Sequence, residues 1–216
     1  MMSQPFFLSS AAFELLLQAN QRKSDGDDRT ALTLYLAALE RFGESAELLA
    51  AIADCYFSLA LRNPKETGEN HQQAIAWMRR AIALAPENAR LHAHLAQFYE
   101  LGTLEVDRAA EEYRTAINLN PHDVWALVGA TSLSGLPEEV VSLDEAITWL
   151  ERAVQLEPDE PDYHLRLGDL YHEAGRVADA KRACLRALLC PRPLDPQFVR
   201  RLEEVAGIDG EPPAPR

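Results

Sequence analysis

An all-α fold assembled from tandem helix pairs is what the sequence predicts, and three observations carry that prediction. Ala and Leu dominate while Val, Ile and Thr are sparse, a balance that favours helix over strand. Apolar residues recur three and four positions apart, the spacing that gathers them on one face of a helix. Most informative is a ten-residue pattern that returns five times, at 30–39, 73–82, 108–117, 145–154 and 179–188. Each copy has Ala, an apolar residue four on, Ala three further, and then a branched apolar residue.

The first alanines of these segments are Ala31, Ala74, Ala109, Ala146 and Ala180, so the steps are 43, 35, 37 and 34 residues. The second alanines, Ala38, Ala81, Ala116, Ala153 and Ala187, keep the same steps, which places every insertion outside this trailing helix. A leading periodic segment precedes each one, at 13–23, 47–60, 90–101, 125–133 and 162–174. Pro86, Pro121, Pro158 and Pro191 close four of the pairs and Gly43 the first, where a residue that cannot continue a helix fits the turn. Ser142 to Glu145 and Asn70 to Gln73 both have capping-box form and are expected to begin the trailing helices of repeats four and two. The insertions are expected as enlarged loops at 61–69, with Asn63-Pro64 and Gly68 as breakers, and at 134–141, with Gly135 and Pro137. Asp195-Pro196 then opens a capping helix over 195–206 with Phe198, Leu202 and Val205 on one face, and the proline-rich stretch 207–216 is expected to be disordered.

This pattern resembles the tetratricopeptide repeat: a helix-turn-helix of 34 residues, with a small residue late in the leading helix, two alanines in the trailing one and a closing proline. Five copies cover about 11–43, 46–86, 89–121, 124–158 and 161–191, preceded by an extension over 1–10. The first departs from the family at Gln18 and Gly43, and the fourth carries Thr131 where the family prefers Gly or Ala. The resemblance implies a right-handed α-solenoid in which Ala19, Ala53, Ala96 and Gly168 each face the first alanine of their own trailing helix. It also implies a concave groove lined by the second, fifth, ninth and twelfth positions of the leading helices. Those positions fall on Phe13, Leu16, Asn20 and Lys23, on Glu47, Ala50, Asp54 and Phe57, and on Arg90, His94, Gln97 and Glu100. They continue on Trp125, Val128 and Ser132, and on Asp162, Leu165, Asp169 and His172. Some members clamp a chaperone's C-terminal carboxylate, but in that register this chain offers Leu16, Asn20, Ala51, Arg90 and His94. Most of the required positive charge is missing, which disfavours such a client.

Formal charge is −13 and no basic run exists, so nucleic acid is not an expected partner. Cys55, Cys184 and Cys190 have no CxxC spacing and fit packed thiols in a reducing, cytoplasmic setting. No basic leader precedes Phe6, Phe7 and Leu8, and no segment has the 18 apolar residues of a membrane span. His92 and His164 hold equivalent leading-helix positions and are expected to pack, while Asp169 and His172 read as a solvated pair rather than metal ligands. No catalytic group, cofactor or metal is expected. The function expected is binding of a protein or peptide partner in the groove. The alternative is self-association, with Phe6, Phe7 and Leu8 docking into a second copy.

Overall fold

The computed structural model describes residues 10–63, 67–136 and 140–192. The N-terminal Phe6–Leu8 segment, the expected capping helix and the tail lie outside them. Ten α-helices form the described residues: α1 (Ser10–Ser24), α2 (Asp28–Phe42), α3 (Ala46–Arg62), α4 (Thr67–Leu84), α5 (Ala89–Phe98), α6 (Val106–Leu119), α7 (Val124–Thr131), α8 (Leu143–Leu156), α9 (Pro161–Glu173) and α10 (Val177–Leu189). Consecutive helices pair, α1 with α2 through α9 with α10, as the repeat predicts. The helices fall into two compact units, one ending at Leu119 and the other beginning at Asn120. That boundary follows the third repeat and precedes α7, only eight residues long.

In the first unit the alanine columns are the core. Ala31, Ala74 and Ala109, together with Ala38, Ala81 and Ala116, are completely buried, as are the leading-helix partners Ala19, Ala53 and Ala96. Side chains this small let two helix backbones approach closely. The apolar residue between the two alanines, Tyr35, Met78 or Tyr113, fills the space beside them. Helix starts are capped as the side chains allow: Asp27 accepts from the Thr30 amide, Ser45 from Leu48 and Asn88 from Arg90. Arg62 ties the second repeat to the first, donating to the Gly26 carbonyl at 2.6 Å and lying 3.2 Å from the buried carboxylate of Asp28.

The first insertion is only in part the loop expected at 61–69, since α3 does end at the predicted breaker with Asn63 as its C-cap but the helices claim both ends. It lengthens both neighbours, so that α3 runs to Arg62 and α4 begins at Thr67. Asn70 therefore sits inside a helix rather than capping one. The reason is that His71 stands in phase with Ala74, Ile75 and Met78, and all four are buried. Continuing that stripe by a turn outweighs the cost of an exposed Gly68, about 1 kcal/mol. The extra turn has a neighbour to satisfy: α5 ends in a π-helical turn, Tyr99–Thr103, where a Cβ on Gly102 would lie 2.9 Å from the His71 ring. Only glycine lets that backbone close over the imidazole.

The second unit repeats the scheme. Ala146 and Ala153 are completely buried, Ala180 and Ala187 nearly so, with Leu150 and Cys184 between them. Gly168 does here what alanine does elsewhere, because a Cβ on it would stand 3.0 Å from Cys184 Sγ and 3.5 Å from the Ala180 carbonyl. The predicted capping box at Ser142 and Glu145 is formed in full. The second insertion is anchored at both ends, by buried Leu133 and Val141 and by a bridge between Ser134 and Val141. Thr131, the departure from the family pattern, is buried with its hydroxyl donated to the Val128 carbonyl at 2.7 Å.

Candidate functional site

Leading helices α1, α3 and α5 of the first unit bring three of the expected groove residues together, one from each helix. Lys23 Nζ lies 2.8 Å from Asp54 Oδ2, and His94 Nδ1 lies 3.1 Å from Asp54 Oδ1, so one carboxylate joins three successive repeats. Asp54 is half-buried. Burial works to raise its carboxyl, but the hydrogen bond to His94 and the charge of Lys23 outweigh that and hold it below the ordinary carboxylate value. Beside this chain, Asn20 accepts from the Tyr35 hydroxyl at 2.5 Å and Glu100 accepts from the Tyr113 hydroxyl at 2.9 Å. Burial, reinforced by neighbouring negative charge, pushes the Tyr35 phenol up to about 12 and moves Tyr113 in the same direction. Both stay neutral donors, locking the carboxamide and carboxylate that border the face.

Apolar surface flanks the polar line. Phe13 is 59% exposed, whereas Leu16 is half-buried against the core of the first repeat. Arg90 is exposed and Gln97 half-buried on the α5 side. Phe57 departs from the expectation: it is only 7% exposed, stacked on Phe98 with ring centroids 4.4 Å apart and 5.5 Å from the His71 ring. Lengthening α3 and α4 roofs this position over, so Phe57 is core and offers no contact to a ligand.

The second unit presents its own set. Trp125 is 42% exposed and Val128 half-buried on α7, while Asp162, Asp169 and His172 are exposed along α9. Leu165 packs partly against Cys184 and Ala187. No group of three or more potential metal ligands occurs among the described residues. No described helix is long and apolar enough to cross a membrane.

Sequence reasoning missed the role of the two equivalent histidines. His92 Nε2 donates to the Pro86 carbonyl at 2.9 Å, and His164 Nε2 donates to the Pro158 carbonyl at 2.8 Å. Each thus fastens its leading helix to the proline that closes the previous repeat. The signal was present as a Pro followed six residues later by His, at 86 and 92 and again at 158 and 164.

Two family profiles match the chain, one described as "TPR repeat" over residues 142–175 and one as "Tetratricopeptide repeat" over residues 16–89. Among curated proteins, the human (Homo sapiens) "Protein O-mannosyl-transferase TMTC1" is 29% identical over 155 residues, which is 66% of this chain but only 16% of that protein. Solved structures with the same fold include TTC0263, a thermophilic TPR protein of Thermus thermophilus, with a TM-score of 0.59 at 21% identity, covering 91% of this chain and all of that one. YrrB, "a TPR protein with an unusual peptide-binding site", superposes with a TM-score of 0.63 at 20% identity, covering 89% of this chain and 92% of its own. PilW, a "widely conserved type IV pilus biogenesis factor", does so at 0.70 and 16%, covering 93% and 88%.

Proposed function

The chain belongs to the tetratricopeptide-repeat family, and from that premise we propose that it is a non-catalytic interaction scaffold whose α1, α3 and α5 face takes an extended peptide or a helix from a protein partner. The observation that carries this reading is the Lys23–Asp54–His94 chain. Three repeats commit polar side chains to one surface line flanked by exposed Phe13 and Arg90, the mixture that offers main-chain hydrogen bonds and side-chain anchors to a bound segment. The transferase activity in the name of the human relative belongs to a protein of which this chain matches a sixth, and binding rather than catalysis is the role read here. The free thiols of Cys55, Cys184 and Cys190 fit a cytoplasmic setting.

A photo-crosslinking residue placed at Arg90, at Gln97 or, as a control, at Glu40 on α2 tests the face in native lysate. The expected result is one shared product at positions 90 and 97, absent at 40 and lost when Asp54→Lys is added. Identical products at all three positions would overturn the reading.

A second reading draws on one observation, the exposure of Phe13 and Leu17, an apolar pair one turn apart at the start of the first unit, close in sequence to Phe6–Leu8. It makes the chain self-associate through that end. Light scattering of the full chain and of one starting at Ser9 decides it, since two monomers remove the idea.

A further inference from the structure

Repeats three and five are built to the same register around their leading histidine, yet one position differs, and the difference opens a cavity. In repeat three, His92 donates from Nε2 to the Pro86 carbonyl and meets the Glu112 carboxylate at its Nδ1, 2.7 Å away. Glu112 stands three residues after Ala109, the first alanine of its trailing helix. In repeat five, His164 makes the same Nε2 bond, to Pro158, but the residue three after Ala180 is Ala183. Where the carboxylate would be there is a cavity of about 350 Å³ between α8, α9 and α10, lined among others by His164, Tyr171, Arg182, Ala183 and Arg186.

The α10 side of this cavity is basic in a molecule that is acidic. Residues 176–192 carry five basic side chains and one acidic one, Asp179, in a chain of net charge −13. Asp179 is already engaged by Arg176 at 2.7 Å and by Arg182. The Tyr171 hydroxyl at the wall is committed as a donor to Glu151 at 2.6 Å. What is left facing the space is the Nδ1 edge of a buried imidazole and the guanidinium of Arg186, which forms no ion pair among the described residues.

We propose that this cavity of repeat five, in the second unit, is a second binding site, and that it takes the carboxylate of a Glu or Asp side chain presented by a partner protein. Repeat three supplies the template, because the same chain already fills the same place with Glu112. Because Nε2–H is already given to Pro158, His164 takes the partner's carboxylate as an imidazolium, donating from Nδ1–H as His92 does toward Glu112, with Arg186 as the second, charge-assisted contact. A protein side chain, rather than a free anion, fits a space whose remaining wall is apolar Val154 and Leu167 and which accommodates the methylene stem.

The test uses the full chain, labelled for observation of its histidine ring nitrogens, and a blocked tripeptide, acetyl-Ala-Glu-Ala-amide, against its Gln counterpart. The Glu peptide is expected to shift the His164 ring signals saturably, with the Gln peptide at least about tenfold weaker, a difference of about 1.4 kcal/mol. Arg186→Gln should weaken binding several-fold. Ala183→Glu, which copies repeat three, should abolish it while leaving the fold intact. His164→Leu should abolish peptide binding too, read on backbone amides, and Leu is the residue that repeats one, two and four carry at that position, as Leu15, Leu49 and Leu127. Equal responses to the two peptides, undiminished binding in Ala183→Glu, or no saturable shift up to roughly 20 mM peptide, where even millimolar affinity would register, would each overturn the proposal.

Discussion

Gly168 and His71 show how single side chains set the tolerances of this protein. A methyl group on Gly168 would gain about 1 kcal/mol of helix propensity but would meet Cys184 Sγ at 3.0 Å. Gly168→Ala is therefore expected to be neutral or destabilising alone and stabilising in a Cys184→Ala background, a coupling of about 1 kcal/mol measurable by a double-mutant cycle in urea. His71 is 3% exposed, and burial holds its pKa below the usual value. The unfolded chain then takes up a proton that the folded one refuses, so the contribution of this group is full above the unfolded value near 6.5 and is lost as pH falls through the folded one. Denaturation at pH 7.5 and pH 5 should show wild type losing more stability than His71→Phe, by at most about 1.4 kcal/mol per pH unit. At this scale the sequence was readable wherever a residue repeats. The first and second alanines were all found buried because five copies vote for them. Phe57 was misplaced because its environment depends on Phe98 and His71, which come from other elements and have no signature at position 57 itself.

Among the elements, trailing helices were legible to within a few residues, and the described residues of the second insertion lie between α7 and α8 as expected, but the extent of the first insertion was not legible. The breaker at Asn63 held, since α3 ends there, but Gly68 is a local signal, whereas the stripe through His71, Ala74, Ile75 and Met78 is satisfied only by tertiary burial, and burial prevailed. Two substitutions distinguish a helix from a loop here. Gly68→Ala, with no atom within 4 Å of the added Cβ, should stabilise by about 0.5–1 kcal/mol if residues 67–73 are helical. Asn70→Ala should escape the loss of about 1 kcal/mol that removing a true N-cap brings, since Asn70 lies inside α4 and not at its start. Ser142→Ala, which dismantles a formed capping box, should show that loss in the same thermal unfolding assay.

For the molecule as a whole, the sequence predicted five tandem repeats, and the structure groups its helices into two compact units, each with its own alanine-lined core. Leu150→Ala, which empties a completely buried position in the second unit, should cost about 2–5 kcal/mol. Hydrogen exchange should place the loss of protection in α7–α10 and spare α1–α4, as expected when stability is summed repeat by repeat. The candidate binding face was legible as a register of positions, but its wiring was not, because which of twelve residues pair across helices depends on rotamers that no period encodes. That wiring makes Asp54 the only acidic member of a cluster whose other members, Lys23 and His94, come from different repeats. One carboxylate thereby holds a side-chain nitrogen from the leading helix before its own and another from the one after. Replacing that carboxylate with an amide would take one negative charge from the strip and leave Lys23 without its ion pair, while Glu47 and Glu100 keep their charges, so one substitution would loosen the tie between three repeats and leave their helices as they are.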